Sequence, residues 1–361
     1  MKLSYIISAL EEYAPLSLQE QWDNSGLQVG LPPEAEGECS GILLCLDVTP
    51  AIIAEAVRRG CNLVVSHHPL IFKGLKSVAG RNISETTVAA AIRAGVAVYS
   101  SHTALDSTIG GISYEMARRL GASPVRVLSP VKVPVVSMVV TCPRQMAQDV
   151  RLILLDSDAL RCDYFDIDSE AANAAMSADF PENVLSHTPL CRVDAKVKAS
   201  SVAALSASLS DMPGGEQVKV DIVPLDGTDR CVGLGLVAVF EEPISGSQLL
   251  ALLKERFACA SVRASRGYDP DAKLRRIALC GGAGGEFIKL AAASGAQAYI
   301  SADIRYHDFA ENASSPMAIF DIGHFESEIC AKDIFYHLIK NKFPNFAVYF
   351  SEEEVLPIQY L

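Results

Sequence analysis

Imidazole and carboxylate groups recur in this chain at places where a fold can bring them together. It has seven histidines, and five of them fall in short polar stretches directly after apolar, strand-like runs. The first stretch is Ser66-His67-His68-Pro69. Neighbouring strand residues face opposite ways, so two adjacent histidines rarely serve one ion. At the end of a strand they can diverge and reach two, and Pro69 biases His68 toward an extended conformation. The second is Ser101-His102-Thr103-Ala104-Leu105-Asp106, again past a strand. The third is His324-Phe325-Glu326-Ser327-Glu328; a helix beginning near His324 puts His324 and Glu328 on one face. Mixed imidazole and carboxylate ligands suit Zn, Fe, Mn or Co, whereas an all-oxygen set suits Mg or Ca. One carboxylate can bridge two cations about 3.5–4 Å apart, a separation at which a water is activated and a substrate polarised.

Each piece has an ordinary explanation by itself: a helix cap for His324, a solvated charge for Glu328, an N-cap for Asp106. Those explanations must also account for three such groups, each at a strand end, in a histidine-poor chain. His102, Asp303 and His307 either orient ligands through hydrogen bonds or carry protons. His337, on an amphipathic helix, and His187, in the middle of the chain, are given no role. Ser66 and Ser101 have no evident activating base. Gly281-Gly-Ala-Gly-Gly-Glu-Phe287 is no dinucleotide fingerprint, since Phe287 takes the place of the last glycine, and no Gly-Lys-Ser/Thr follows for a phosphate loop. It reads as a tight strand-to-helix turn, with backbone donors facing a cleft as the alternative. Trp22-Asp23-Asn24 reads equally as a structural loop or a cleft rim.

The elements that must position these groups alternate. Residues 41–48 and 61–66 read as buried strands, with a helix between them started by Thr49-Pro50 and ended at Gly60. A helix over 84–94, a strand into Ser101 and a helix stopped by Gly121 continue the pattern. From 274 onward the rhythm repeats, with strands at 274–280, 297–303 and 317–324, a long amphipathic helix and a closing strand, FAVYFS. The expected fold class is α/β with parallel sheets, and reactive groups in such sheets gather at strand carboxyl ends. The middle differs: it is rich in Ala, Ser and Asp with weak periodicity. The expected organisation is two similar α/β halves, 1–128 and 229–361, interrupted by an inserted α+β domain, 129–228.

Composition bounds the rest. Half the residues are hydrophobic and a fifth are charged, which supplies core material and argues against a mainly disordered chain. The formal charge of −12 argues against sequence-independent nucleic-acid binding. Ten cysteines stand singly, several inside apolar runs, and read as buried reduced thiols. The opening MKLSYIISALEEYAP reads as an amphipathic helix instead of a signal peptide, and no run is long enough for a membrane span. The expected location is the cytoplasm.

Trp22 to Gly30 (WDNSGLQVG), LDVTPAIIAEA, VVSHHPLIFKGLKSV, SSHTALD, the glycine stretch, ISADIRYH and GHFESE occur in the order that characterises the NIF-three-like family, also catalogued as type-2 homologues of GTP cyclohydrolase I. The chain resembles that family over most of 1–128 and 229–361. The resemblance implies a dinuclear centre of two divalent transition-metal ions held by His67, His68, Asp106, His324 and Glu328. It also implies a homohexameric toroid and a PII-like, ferredoxin-like insert. The chain has Ser301-Ala302-Asp303 where the family has Thr-Gly-Asp, and its insert lacks the family's His-Pro-Tyr-Glu-Glu stretch. The activity implied is a metal-dependent hydrolase whose metal-bridging water attacks a phosphoester, nucleotide or cyclic amidine. The alternative is a non-catalytic metal-binding regulatory or scaffold hexamer whose insert recognises a ligand or partner.

Overall fold

Four-residue apolar runs, too short for helices and rich in branched side chains, form the centre of the first sheet. In the computed structural model they are β2 (Ile42–Cys45), β3 (Leu63–Ser66) and β4 (Ala97–Ser100), flanked by β1 (Gly26–Val29) and by β15 (Val348–Phe350). The order is β1-β4-β3-β2-β15. All neighbours are parallel except β1, which runs antiparallel to β4. The structure describes residues 1–32, 37–131, 135–156, 161–167, 189–225 and 232–359.

The second sheet contains β5 (Ser123–Pro130), β10 (Gly233–Ser245), β11 (Arg263–Ala264), β12 (Lys273–Ala283), β13 (Ala298–Ala302) and β14 (Ala318–Asp321). Its order is β11-β14-β13-β12-β10-β5. Only β12, β13 and β14 are parallel to one another. The parallel sheets expected from the sequence are therefore mixed. The physical reason lies in β10, which is antiparallel to both β5 and β12. Its pairing puts Gly233 opposite Pro130, so the chain leaves and re-enters this sheet at one end. The two sheets also trade strands: β5 precedes residue 131 yet joins the second sheet, and β15 joins the first.

Alternation along the strands divides the core. Ile42, Leu44, Leu63, Val65, Ala97 and Tyr99 of the first sheet share one buried cluster with Ile277, Leu279, Ala298, Ile300 and Phe320 of the second. The intervening residues face separate clusters on the outer sides. The helices Leu3–Tyr13, Ile112–Leu120, Gly246–Arg256 and Ala331–Lys342 add Ile6, Met116, Leu249 and Phe335 to the shared cluster. The Thr49 hydroxyl caps the helix Pro50–Arg58 by accepting from the Ile52 amide at 3.3 Å.

By internal contacts the chain divides into two compact units, Met1–Val131 with Arg230–Leu361, and Lys132–Asp229. The second has β6 (Val135–Pro143), β7 (Arg161–Ile167), β8 (Leu190–Lys198) and β9 (Lys219–Leu225), in the order β7-β8-β6-β9 with every pair antiparallel. Helices Ala147–Asp156 and Val202–Asp211 follow β6 and β8. That order is the ferredoxin-like one. Periodicity is weak there because the helices bury few large side chains, Leu154, Leu205 and Leu209 among them. His187 and Cys231 lie outside the described residues. Eight of the nine described cysteines are buried. Among the described residues no helix is long and apolar enough to cross a membrane.

Candidate metal centre

The larger unit brings the carboxyl ends of parallel strands from both sheets to one place. His67 and His68 follow β3. Ser101 and His102 follow β4, and Asp106 is on the short helix Thr103–Ser107. From the second sheet, β14 leads through Gly323 into the helix His324–Glu328, which carries both late residues four apart. The five ligand candidates named from the sequence are therefore neighbours.

The spacing divides them into two sets that share Glu328. His67 Nε2 is 3.6 Å from Asp106 Oδ1 and 3.6 Å from Glu328 Oε1. Glu328 Oε2 is 2.8 Å from His68 Nε2 and 3.0 Å from His324 Nε2, and those two nitrogens are 3.3 Å apart. Two ligands at about 2.1 Å from one ion are roughly 3.4 Å apart at a tetrahedral angle and roughly 3.0 Å apart at a right angle. The first set is near the wider spacing and the second, at 2.8–3.3 Å, near the narrower one.

The protons give an independent test of fit. His67 Nδ1 donates to the Ser101 carbonyl at 3.0 Å, which leaves Nε2 as a lone pair. That Nε2 and Asp106 Oδ1 are both buried with no hydrogen-bond partner. Two buried acceptors facing each other are costly unless a cation lies between them. His68 Nδ1 and His324 Nδ1 likewise face Asp47 Oδ1 and Asp303 Oδ2, each at 2.8 Å, so their Nε2 atoms are the ones turned to Glu328. The donor set, imidazole with carboxylate, could hold a metal ion.

The electrostatics agree with this reading. Burial opposes charge on His68, but its bonds to Asp47 and Glu328 outweigh burial and push it up to about 10. Burial likewise opposes charge on His324, which Glu328 and Asp303 push up to about 9. Burial raises Asp106 to about 7, against the pull of His67 and with the help of Glu328. Glu328 is also buried, yet His67, His324 and His68 hold it well below the usual carboxylate range. Protons and cations thus compete for the same nitrogens.

Two glycines admit Glu328 and its helix. Gly282, at the end of β12, has φ +61°, and a Cβ there would lie 2.1 Å from Glu328 Oε1. Its amide also donates to Ser327 Oγ at 3.0 Å. At Gly323, φ +91°, a Cβ would meet Glu326 Oε2 at 2.2 Å. The glycine stretch is a strand end passing into a 3-10 turn, Gly285–Phe287, and its closest approach is to a carboxylate. The Ser-Ala-Asp departure has a local account. Ala302 stays in β13, and the left-handed position falls on Asp303, φ 52°, a residue type that tolerates it.

His102 reaches the centre. Its ring is 5.4 Å from that of His67 and 5.7 Å from that of His68, and one nitrogen of each of the three lies within 4.8 Å of the others. Its Nδ1 bonds Asp23 Oδ1 at 2.8 Å, and the other Asp23 oxygen accepts from the Thr103 amide at 3.0 Å. His307 is not brought in: it is exposed on the helix Tyr306–Glu311 with its ring against Tyr306. His337 is on the helix Ala331–Lys342, against Tyr336. Sequence reasoning missed Asp47, although a polar residue directly after an apolar run was the signal that found the others. Glu354 holds that loop by accepting from the Asp47 amide at 3.2 Å and pairing with Lys332. A cavity of about 420 Å³ borders His68 and Asp47 and is also lined by Thr49, Leu70, Ser84 and Val355.

The chain is similar over most of its length to known proteins. A Mycobacterium tuberculosis protein named GTP cyclohydrolase 1 type 2 homolog is 28% identical, with 91% of this chain and 88% of that protein covered. A Bacillus subtilis protein of the same name is 24% identical, with 91% and 90% covered. The crystal structure of a Bacillus cereus protein related to NIF3 superposes with a TM-score of 0.80 at 25% identity, covering 100% of this chain and 99% of that one. With a family model matching residues 1–357, the chain belongs to the Duf34/NIF3 (NGG1p interacting factor 3) family.

Proposed function

We propose that the chain is a two-metal hydrolase in which His67, Asp106 and Glu328 hold one divalent ion and His68, His324 and Glu328 the other. One observation carries this reading: the two oxygens of a single buried carboxylate, Glu328, face two different histidine sets. A bound pair of such ions supplies Lewis acidity and lowers the pKa of water beside a phosphoester, nucleotide or cyclic amidine. The protein's own groups set the geometry. Asp47 and Asp303 fix the rings of His68 and His324, and the Ser101 carbonyl fixes His67. Asp23 holds His102 with Nδ1 committed, so that Nε2 is the atom that carries a proton to or from a leaving group. His307 has no part in this.

The test is reconstitution with Zn, Fe, Mn or Co, followed by assay against phosphoesters and nucleotides including GTP, the compound in the names of the relatives. Metal-dependent turnover that Glu328→Gln and His68→Ala both abolish supports the hydrolase. Two bound ions per chain with no turnover of any substrate refute it. They favour the second reading, a metal-binding regulatory or scaffold hexamer, whose hexameric state is read by light scattering. That reading has its own support in the smaller unit, where Phe165 on β7 and Ile222 and Val223 on β9 expose about half their surface on the two outer strands of its sheet.

A further inference from the structure

Next to the proposed centre is a pair of aromatic side chains that the hydrolase reading leaves unused. Trp22, the chain's single tryptophan, is 59% exposed, and Phe72 is 44% exposed. Single exposed apolar residues are ordinary, but these two adjoin and both touch the centre. Their ring centroids are 5.9 Å apart, and they lie 6.0 and 6.1 Å from the ring of His102. His102 in turn is within 6 Å of the rings of His67 and His68. A planar group resting on this wall lies beside His102 and so next to the rings of His67 and His68.

The wall is held in place but left uncovered. Asn24 Nδ2 donates to the Ile71 carbonyl at 2.6 Å, and the Ile71 amide donates to Gln28 Oε1 at 3.0 Å. These bonds tie the loop bearing Trp22 to the loop bearing Phe72. Asp23, beside Trp22, is itself fixed by His102 and Thr103. Rings that merely covered a core would bury their faces. Exposed rings carried on loops that polar bonds hold together are preorganised for a ligand. The interplanar angles, 62° between Trp22 and Phe72 and 73° between Trp22 and His102, make an angled wall, against which a flat ring stacks on one face and meets an edge with the other.

We infer that Trp22, Phe72 and His102 form the binding wall for a planar heteroaromatic ring, and that the substrate of this centre is a nucleotide-like phosphoester with its phosphate at the ions and its base on the wall. The inference rests on the hydrolase reading for the phosphate and is independent of it for the ring. Base–aromatic stacking changes affinity by roughly tenfold or more per ring.

Trp22 is the only indole, so its emission reports on this wall alone. Metal-loaded full-length protein is titrated with GMP and AMP, and in parallel with ribose 5-phosphate. The expected result is saturable quenching by both nucleotides and at least tenfold weaker binding of ribose 5-phosphate, measured by competition. Phe72→Leu is expected to weaken the nucleotides about tenfold while metal content and ribose 5-phosphate binding stay unchanged, and Phe72→Tyr to restore them. Ribose 5-phosphate binding as tightly as GMP, or unchanged GMP affinity in Phe72→Leu, overturns the wall and leaves the hydrolase reading intact. Nucleotide quenching of the expected form without turnover of any phosphoester removes the hydrolase reading and leaves the wall.

Discussion

Replacing Gly282 by alanine separates the proposed metal site from the fold that carries it. The new Cβ would lie 2.1 Å from Glu328 Oε1, whereas ordinary contact begins near 3.4 Å. The carboxylate must therefore retreat by the difference, about 1.3 Å, several times the roughly 0.2 Å tolerance of a metal–ligand distance. The clash is with the end of a flexible side chain, so the backbone need not move. What remains for stability is the left-handed φ of +61°, which costs a non-glycine residue about 1–2 kcal/mol. Because Glu328 serves both histidine sets, both ions are expected to be lost together. The expected outcome is a Tm lower by a few degrees, an unchanged far-UV spectrum and far less than one metal equivalent per chain by elemental analysis. Gly30→Ala, where a Cβ meets nothing within 4 Å, is the control and should match the wild type in both measurements. A folded Gly282→Ala protein that keeps two equivalents at wild-type affinity would refute the placement of Glu328 between the two sets.

Asp47→Asn removes the charge that fixes His68 while leaving every proposed ligand in place. Metal affinity should fall about 10–100-fold in a chelator competition, whereas His307→Ala, at an exposed ring packed on Tyr306, should change nothing. Glu55 gives a pH dependence that lies away from the metals. Its side chain is 2% exposed and accepts from Ser351 Oγ and from the amides of Glu352 and Glu353. Burial opposes its charge, but these bonds and Arg59 outweigh burial and hold the carboxyl below its ordinary value. A depressed folded value means that the stabilisation is present above the unfolded value of about 4.3 and lost as pH falls through the folded one. Glu55→Gln should therefore lower Tm at pH 7 and narrow the gap to wild type below pH 4, as followed by calorimetry. An equal gap at both pH values would contradict the assignment.

Most of the ligand candidates were legible because a local rule fixes them: a polar residue directly after a buried strand, or a pair four apart on a helix. His67, His68 and the His324–Glu328 pair followed from those rules, whereas Asp106, on the helix Thr103–Ser107 beyond its strand, was named through the family resemblance. Asp47 obeys the same rule, but an isolated carboxylate after a strand gave no reason to prefer it to Asp23 or Asp303. The role of Gly282 was illegible in principle, since close approach to Glu328 is made by the packing of β12 against a helix some forty residues later. His307 stood near Asp303 in the sequence, yet the left-handed turn at Asp303 leads into a helix that carries His307 into solvent. Sheet direction failed for a related reason. The alternation of β10 shows a strand, but which neighbours it takes depends on where residue 131 leaves the sheet.

His68 and Glu328 are separated by 260 residues. During synthesis at about 5–20 residues per second, that interval is roughly 10–50 s. A nascent chain thus presents its paired imidazoles long before the carboxylate that joins them exists. β15, which completes the first sheet beside β2, emerges later still. On the proposed ligation, ions captured early by His67 and His68 have no bridge and exchange freely. Retention of two ions is then a mark of a chain translated through Glu328, and a prematurely terminated product carries the histidines without the ability to keep their cargo.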